Sequence, residues 1–302
     1  MTTYNFKRNS SVFIVSGGNR HKLDISDINF NQTFREESYK VRTLHGAIQA
    51  AHTEEFFEGS ITNSAGKANF NFTIPALVES DFTIIETLLL SGASFDLFVL
   101  TDTETFKLET AVITNGVFVI EKSRPLSIDI QGQAAKLTRN ATVTGSLVSR
   151  SATKTYTVAP IISVDIGGST LDSILSVSLE LQNEVRWTPY KTIHSALAVT
   201  SAANSMYPSN FTISKKILAG SISQYLSNTN SSTINTWNTS VSMTVKAGNG
   251  LSGSSFRGFS FGPALCSFTN RMGVGDLYQQ NYDWRLVANP SNLATILKYE
   301  TD

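Results

Sequence analysis

The sequence predicts a mainly β protein built from two tandem duplicated domains of β-sandwich or barrel type, each with a flanking helix region. Three observations carry that expectation. Apolar residues recur with a period of two along most of the chain. The 302 residues are about twice a common domain length. A related string occurs in both halves, as Tyr39-Lys-Val-Arg-Thr-Leu-His45-Gly-Ala and as Tyr190-Lys-Thr-Ile-His194-Ser-Ala. The expected domains are 1–150 and 151–302.

In the first half, Val12 and Ile14 open the alternation, and Leu23, Ile25, Ile28 and Phe30 continue it. Phe70, Phe72 and Ile74 follow, then Phe95 to Leu100, Val117 to Ile120, and Leu126, Ile128 and Ile130. Asn115-Gly116 is the dipeptide expected to turn a hairpin. One segment breaks the pattern: Phe82, Ile85, Leu88 and Leu89 fall at helical spacing, with Ser80 as N-cap and Gly92 as stop. A helix is therefore expected against the first sheet.

The first half closes near Arg139. From Asn140 to Thr157 the chain is rich in Thr and Ser, and Pro160 follows, a composition suited to a domain junction. Ile162, Val164 and Ile166 resume the alternation, and Leu175, Val177, Leu179 and Leu181 interleave with Ser176, Ser178, Glu180 and Gln182. Further strands are expected around 221–226, 241–245, 259–261 and 284–287. Element order around the two anchors agrees, with a strand before each and a long loop after, reaching Ala65-Gly66 or Ala219-Gly220. Phe95–Leu100 then matches Ser240–Val245, and Leu126–Gly132 matches Tyr282–Ala288.

Composition excludes several functions. Lys+Arg and Asp+Glu balance at 24 each, so no global field draws the chain onto nucleic acid or an anionic membrane. Only 16% of residues are charged, well below the usual quarter, which fits a surface partly hidden by neighbours. Cys266 is the sole cysteine, so neither an internal disulfide nor a cysteine metal cluster can form. Met1 to Ser10 contain no apolar signal segment, and no run reaches the roughly 18 apolar residues of a spanning helix. Synthesis in the cytoplasm without membrane insertion is the expectation.

No catalytic, cofactor or metal constellation is expected, and the protein does not read as an enzyme. His45, His52 and Glu54 form the one His/Glu grouping, at a spacing that fits no zinc-protease helix. Gly248-Asn-Gly250 and Gly273-Val-Gly275 lack the strand–helix context of a phosphate cradle. Glu36-Glu37 and Glu54-Glu55 read as a solvated acidic rim rather than a catalytic pair. Phe56 and Phe57, set among Glu54, Glu55 and Glu58, read as aromatics in a loop that forces no core position on them. With His45, His194 and Tyr207 they are the candidates for intersubunit or stacking loops.

The opening Lys7-Arg8-Asn9-Ser-Ser-Val-Phe-Ile-Val, the strand Phe95-Asp-Leu-Phe-Val-Leu-Thr-Asp and the string Ser178-Leu-Glu-Leu-Gln-Asn-Glu-Val-Arg-Trp, together with the repeated anchor, carry a resemblance. The chain resembles phage tail tube proteins, and more closely the siphophage subunits in which two tube domains are fused, or the related baseplate ring at the distal end of the tube. The resemblance implies tail-tube type domains whose inner sheets join those of neighbours into a barrel, with three subunits forming a pseudo-hexameric ring. It also implies partners: further copies, other tail tube or baseplate proteins, the tape measure protein, and DNA passing through the lumen without specific binding. The implied location is the virion tail, after synthesis in the host cytoplasm. A carbohydrate-binding, adhesive β-sandwich protein is the alternative, with Trp187, Trp237 and Trp284 as candidates for a sugar platform.

Overall fold

Side-chain alternation becomes alternating burial wherever a strand has one face on the core. The computed structural model describes residues 7–44, 54–75, 79–121, 124, 127–149, 161–187, 207–208, 210–227, 240–248, 256–274, 276–286 and 298–300. The protein is mainly β. In its first part the strands are β1 (Ser11–Ser16), β2 (Asn19–Leu23), β3 (Asp27–Leu44), β4 (Glu54–Ile74), β5 (Phe95–Leu100), β6 (Thr105–Glu121), β7 (Ser127–Ala134), β8 (Lys136–Arg139) and β9 (Ser146–Leu147), with helix α1 at Glu79–Ser91. The second part contributes β10 (Ile161–Ile166), β11 (Ser169–Leu171), β12 (Ile174–Trp187), β13 (Phe211–Tyr225), β14 (Ser240–Gly248), β15 (Phe256–Val274), β16 (Tyr278–Leu286) and β17 (Lys298–Glu300).

The two parts pair their strands in the same order. In the first, β1 joins β2 and β5, β3 joins β4, β4 joins β7, and β6 joins β5, β7 and β8. In the second, β10 joins β11 and β14, β12 joins β13, β13 joins β16, and β15 joins β14, β16 and β17. Each part also begins with a two-glycine hairpin. Gly17 and Gly18 have φ of 56° and 80°, and Gly167 and Gly168 have φ of 60° and 83°. Consecutive positive φ values are what a type I′ turn demands, and a side chain would strain both positions.

Strand β6 ties the layers together. Its first residues pair with β5 and β8, Val112–Val119 pair with β7, and Asn115–Glu121 pair with β12 of the second part. Just before the change of sheet, which falls between Ala111 and Val112, the β5–β6 register breaks at Thr110, a β-branched residue at φ 53°, a conformation that persists only where its surroundings hold it. The Asp96 carboxylate holds it by accepting from the Thr110 N–H at 3.1 Å, and Lys107 pairs with the same carboxylate at 3.0 Å.

The helix packs Ile85, Leu88 and Leu89 inward, each at most 2% exposed. It begins at Glu79, one residue before the expected cap Ser80, and ends as expected at Gly92, whose φ is 68° and whose N–H donates to the Leu88 carbonyl at 2.9 Å. The helix region expected in the second domain lies outside the described residues. Asn115-Gly116 is not a turn, because both residues sit inside β6. Glycine is needed there for the helix: a Cβ on Gly116 would stand 2.8 Å from the Leu89 methyl carbons.

One apolar cluster runs through both parts, from Ile14, Phe70, Leu97 and Ile130 to Val177, Ile222, Met243 and Trp284. It also encloses a polar pair: Gln224 Nε2 donates to the Tyr282 hydroxyl at 3.0 Å, and both residues are 0% exposed. Burial pushes the Tyr282 phenol up to about 12. Above pH 10 the unfolded tyrosine ionises while the folded one keeps its proton, so the folded state binds more protons and stability falls as pH rises toward 12. Absorbance titration is expected to show this phenolate only together with unfolding, and Tyr282→Phe is expected to remove that share of the alkaline loss.

Candidate assembly interface

Because β6 and β12 pair edge to edge, β3–β4–β7–β6–β12–β13–β16–β15 form one continuous antiparallel ladder. Its core face is mainly apolar, with Asn183, Gln224 and Gln280 as the buried polar residues among those described. Its other face carries amides, hydroxyls and carboxylates in cross-strand rows. One row is Asn29, Asn71, Gln131, Asn115 and Gln182, and another contains Asn31, Asn69 and Gln133. Side chains along these rows bond to each other: Asn29 Nδ2 donates to Asn71 Oδ1 at 3.1 Å, the Thr73 hydroxyl to Asp129 at 2.5 Å, and Trp187 Nε1 to Gln133 Oε1 at 2.9 Å. Across the seam between the parts, Asn115 Nδ2 and Gln182 Nε2 both donate to Glu180 Oε1, at 3.1 and 2.7 Å. An open depression of about 450 Å3 lies over the amides of Asn29, Asn31, Asn69, Asn71, Gln131 and Gln133.

Among the described residues, no group of three or more His, Cys, Asp or Glu could hold a metal ion, and no helix is long and apolar enough to cross a membrane. At the β3 end, Lys7 pairs with Asp27 and donates to Asn29 Oδ1 at 2.9 Å. The hydrogen bond from Lys7 holds the exposed Asp27 carboxyl below its ordinary value.

The residues singled out from sequence fare differently. His45 and His194 lie outside the described residues. Phe56 and Phe57 belong not to a loop but to β4, where their backbones pair with Arg42 and Val41 in the far part of the β3–β4 hairpin. Tyr207 is half-buried, and the Lys136 ammonium stands 5.0 Å from its ring centroid. Two of the residues considered for a sugar platform are packed. Trp284 is 2% exposed in the core, and the half-buried Trp187 meets Phe211 with ring centroids 5.3 Å apart and planes tilted by 58°; Trp237 lies outside the described residues. The sequence reading passed over the two strand edges that have no second pairing partner among the described residues, β3 at one end of the ladder and the last residues of β15 at the other.

The long ladder with its amide-rich rows defines a mainly β protein. The chain matches the model of the Bacteriophage Baseplate Tube Protein Family over residues 2–301 and belongs to that family. It is thus a structural protein of the phage tail and baseplate, and it assembles with other proteins of that apparatus. No curated protein matches the chain.

Proposed function

We propose that the chain is a tandem duplication of one tube domain, with domains 1–150 and 151–302, and that three copies close into a pseudo-hexameric ring of the baseplate tube. The ring is structural rather than catalytic, and its lumen conducts DNA during ejection. The observation that carries this reading is the matching pair of strand ladders joined edge to edge through β6 and β12. Two equivalent units related in this way leave unlike edges at the two ends, and a heterologous contact between such edges either closes a ring or runs on as a filament. Closure also removes the exposed edges that would otherwise template aggregation.

The amide-lined face would then line the lumen. Its rows carry the carboxylates of Asp27, Glu121, Asp129, Glu180, Glu184 and Asp283 against the cations of Arg186, Lys215, Arg271 and Arg285, with Arg186 engaged by Glu184 and Arg271 by Asp283. Such a surface gives a polyanion little to release counterions against, which suits passage rather than binding. Neighbouring rings, other baseplate proteins and the tape measure protein would occupy the ends and the lumen of the tube. In the virion the ring sits in the tail, after synthesis in the host cytoplasm.

Native mass spectrometry with negative-stain electron microscopy of the purified protein at high concentration tests the reading. The expected result is a trimer seen as a ring with a central hole. A protein that stays strictly monomeric would overturn it, and glycan binding by that monomer would favour the adhesive alternative.

A further inference from the structure

The two open edges of the ladder differ in a way the internal seam explains. Phe72 and Ile222 each pair with a core residue on both sides: Ile28 and Ile130 flank Phe72, and Val177 and Tyr282 flank Ile222. Matching those registers sets β3 on β12, with Phe30 at the place of Leu179, and β15 on β6, with Met272 at the place of Phe118. In the internal seam Phe118 faces Leu179, and both are 3% exposed. Their counterparts are not covered in this way. Met272 is 66% exposed and Phe30 is only partly buried. Among the described residues, Asn29 to Asn31 pair only with β4, and Phe268 to Val274 pair only with β16.

We infer that the edge of β15 docks antiparallel on the edge of β3 of a second copy, repeating the internal seam in register. Met272 then faces Phe30 of the next copy, Arg271 faces its Asn31, and Gly273 faces its Asn29. A depression of about 310 Å3 bordered by Ile28, Phe30 and Val99 lies beside the β3 edge and receives the Met272 side chain. An exposed apolar residue on an unpaired edge is a liability that natural sheets avoid, so its presence marks a strand that is covered in the assembly. This inference rests on the ring reading and adds to it which strands meet, and at which residues.

Cysteine cross-linking tests the register. In a Cys266→Ser background, Arg271→Cys with Asn31→Cys is expected to give covalent dimers and closed trimers on oxidation or with a short bifunctional thiol reagent. Arg271→Cys with Asn71→Cys, one strand further in, is expected to give none. A second variant, Met272→Glu, changes a side chain the isolated fold already exposes. It is expected to abolish rings in native mass spectra while the circular dichroism of the chain stays that of the parent. Rings that form without the 271–31 cross-link, or that survive Met272→Glu, would overturn this seam and leave the ring reading standing. A chain that forms no rings in the parent background would overturn both.

Discussion

Replacing Gly220 by alanine is expected to destabilise the fold by roughly 3 kcal/mol or more, at or beyond the upper end of ordinary overpacking costs. A Cβ at this position would overlap the backbone carbonyl oxygen of Ser178 on β12 and lie 2.7 Å from the Trp284 indole on β16. A side chain can rotate away from such a contact, but a carbonyl inside a ladder cannot move without parting the strands. Trp284→Phe is therefore expected not to rescue Gly220→Ala. The first part solves the same packing problem with the sizes exchanged. There Phe70 on β4 faces Gly132 on β7, whereas Gly220 on β13 faces Trp284 on β16. Urea unfolding checks the prediction, and a midpoint equivalent to less than about 0.5 kcal/mol of loss, the range of an ordinary surface change, would overturn the account.

Strand positions were legible because burial on one side writes itself into every second residue. Val177, Leu179 and Leu181 are at most 3% exposed, with Ser178 and Glu180 between them half-buried on the other face. The helix was legible for the same reason at a different period, and Gly92 marks its end because only a positive φ closes it there. One glycine message is misread in the sequence and another is passed over. Asn-Gly is the commonest hairpin dipeptide, but Gly116 serves the approach of Leu89. The true hairpin signals, Gly17-Gly18 and Gly167-Gly168, recur at matching places and would have anchored a repeat better than the histidine strings. Register was beyond reach: the sequence matches Phe95–Leu100 to Ser240–Val245, whereas the ladders set Leu97 opposite Ile14 and Val245 opposite Val164, so under the proposed duplication, with Gly17-Gly18 at the place of Gly167-Gly168, Phe95 aligns with Met243.

The long β3–β4 hairpin reads as a loop because backbone pairing needs no apolar pattern. Glu54, Glu55 and Glu58 pair with Thr43 and its neighbours while their letters announce solvent. The interface was hidden for a deeper reason. An edge is open or covered according to which distant strand lies beside it, and no window of sequence contains both β6 and β12. Val117 and Val119 look like any half-buried strand residues, and only the pairing with Glu180 and Ser178 reveals that they sit at a seam. Met272 likewise carries no mark in the sequence; its meaning comes from the contrast with Phe118.

The end of α1 is expected to behave as one docked unit with the second part, so that losses from Asn183→Ala and Lys216→Met do not add. Asn183, 4% exposed, donates through Nδ2 to the Leu89 carbonyl at 3.1 Å and to the Ile113 carbonyl at 3.0 Å. Lys216 donates to the Leu90 carbonyl and, at 3.2 Å, to that of Ser91. Successive carbonyls that the helix cannot satisfy itself are thus held from β12 and β13, with the cation on the favourable end of the helix dipole. Burial holds the Lys216 ammonium below its ordinary value, so its charge is retained by these acceptors against a cost in solvation. Asn183→Ala is expected to lose about 2–3 kcal/mol, since it strips a donor from two carbonyls and opens a cavity. Lys216→Met, at a partly solvated site, is expected to lose about 1 kcal/mol. If either change frees the helix end, the other group has less left to hold, and the double variant should fall short of the sum by at least about 0.5 kcal/mol. Strict additivity in the urea midpoints would instead mean that each side chain satisfies its own carbonyls independently, and that α1 is seated by Leu88, Leu89 and Gly116 alone.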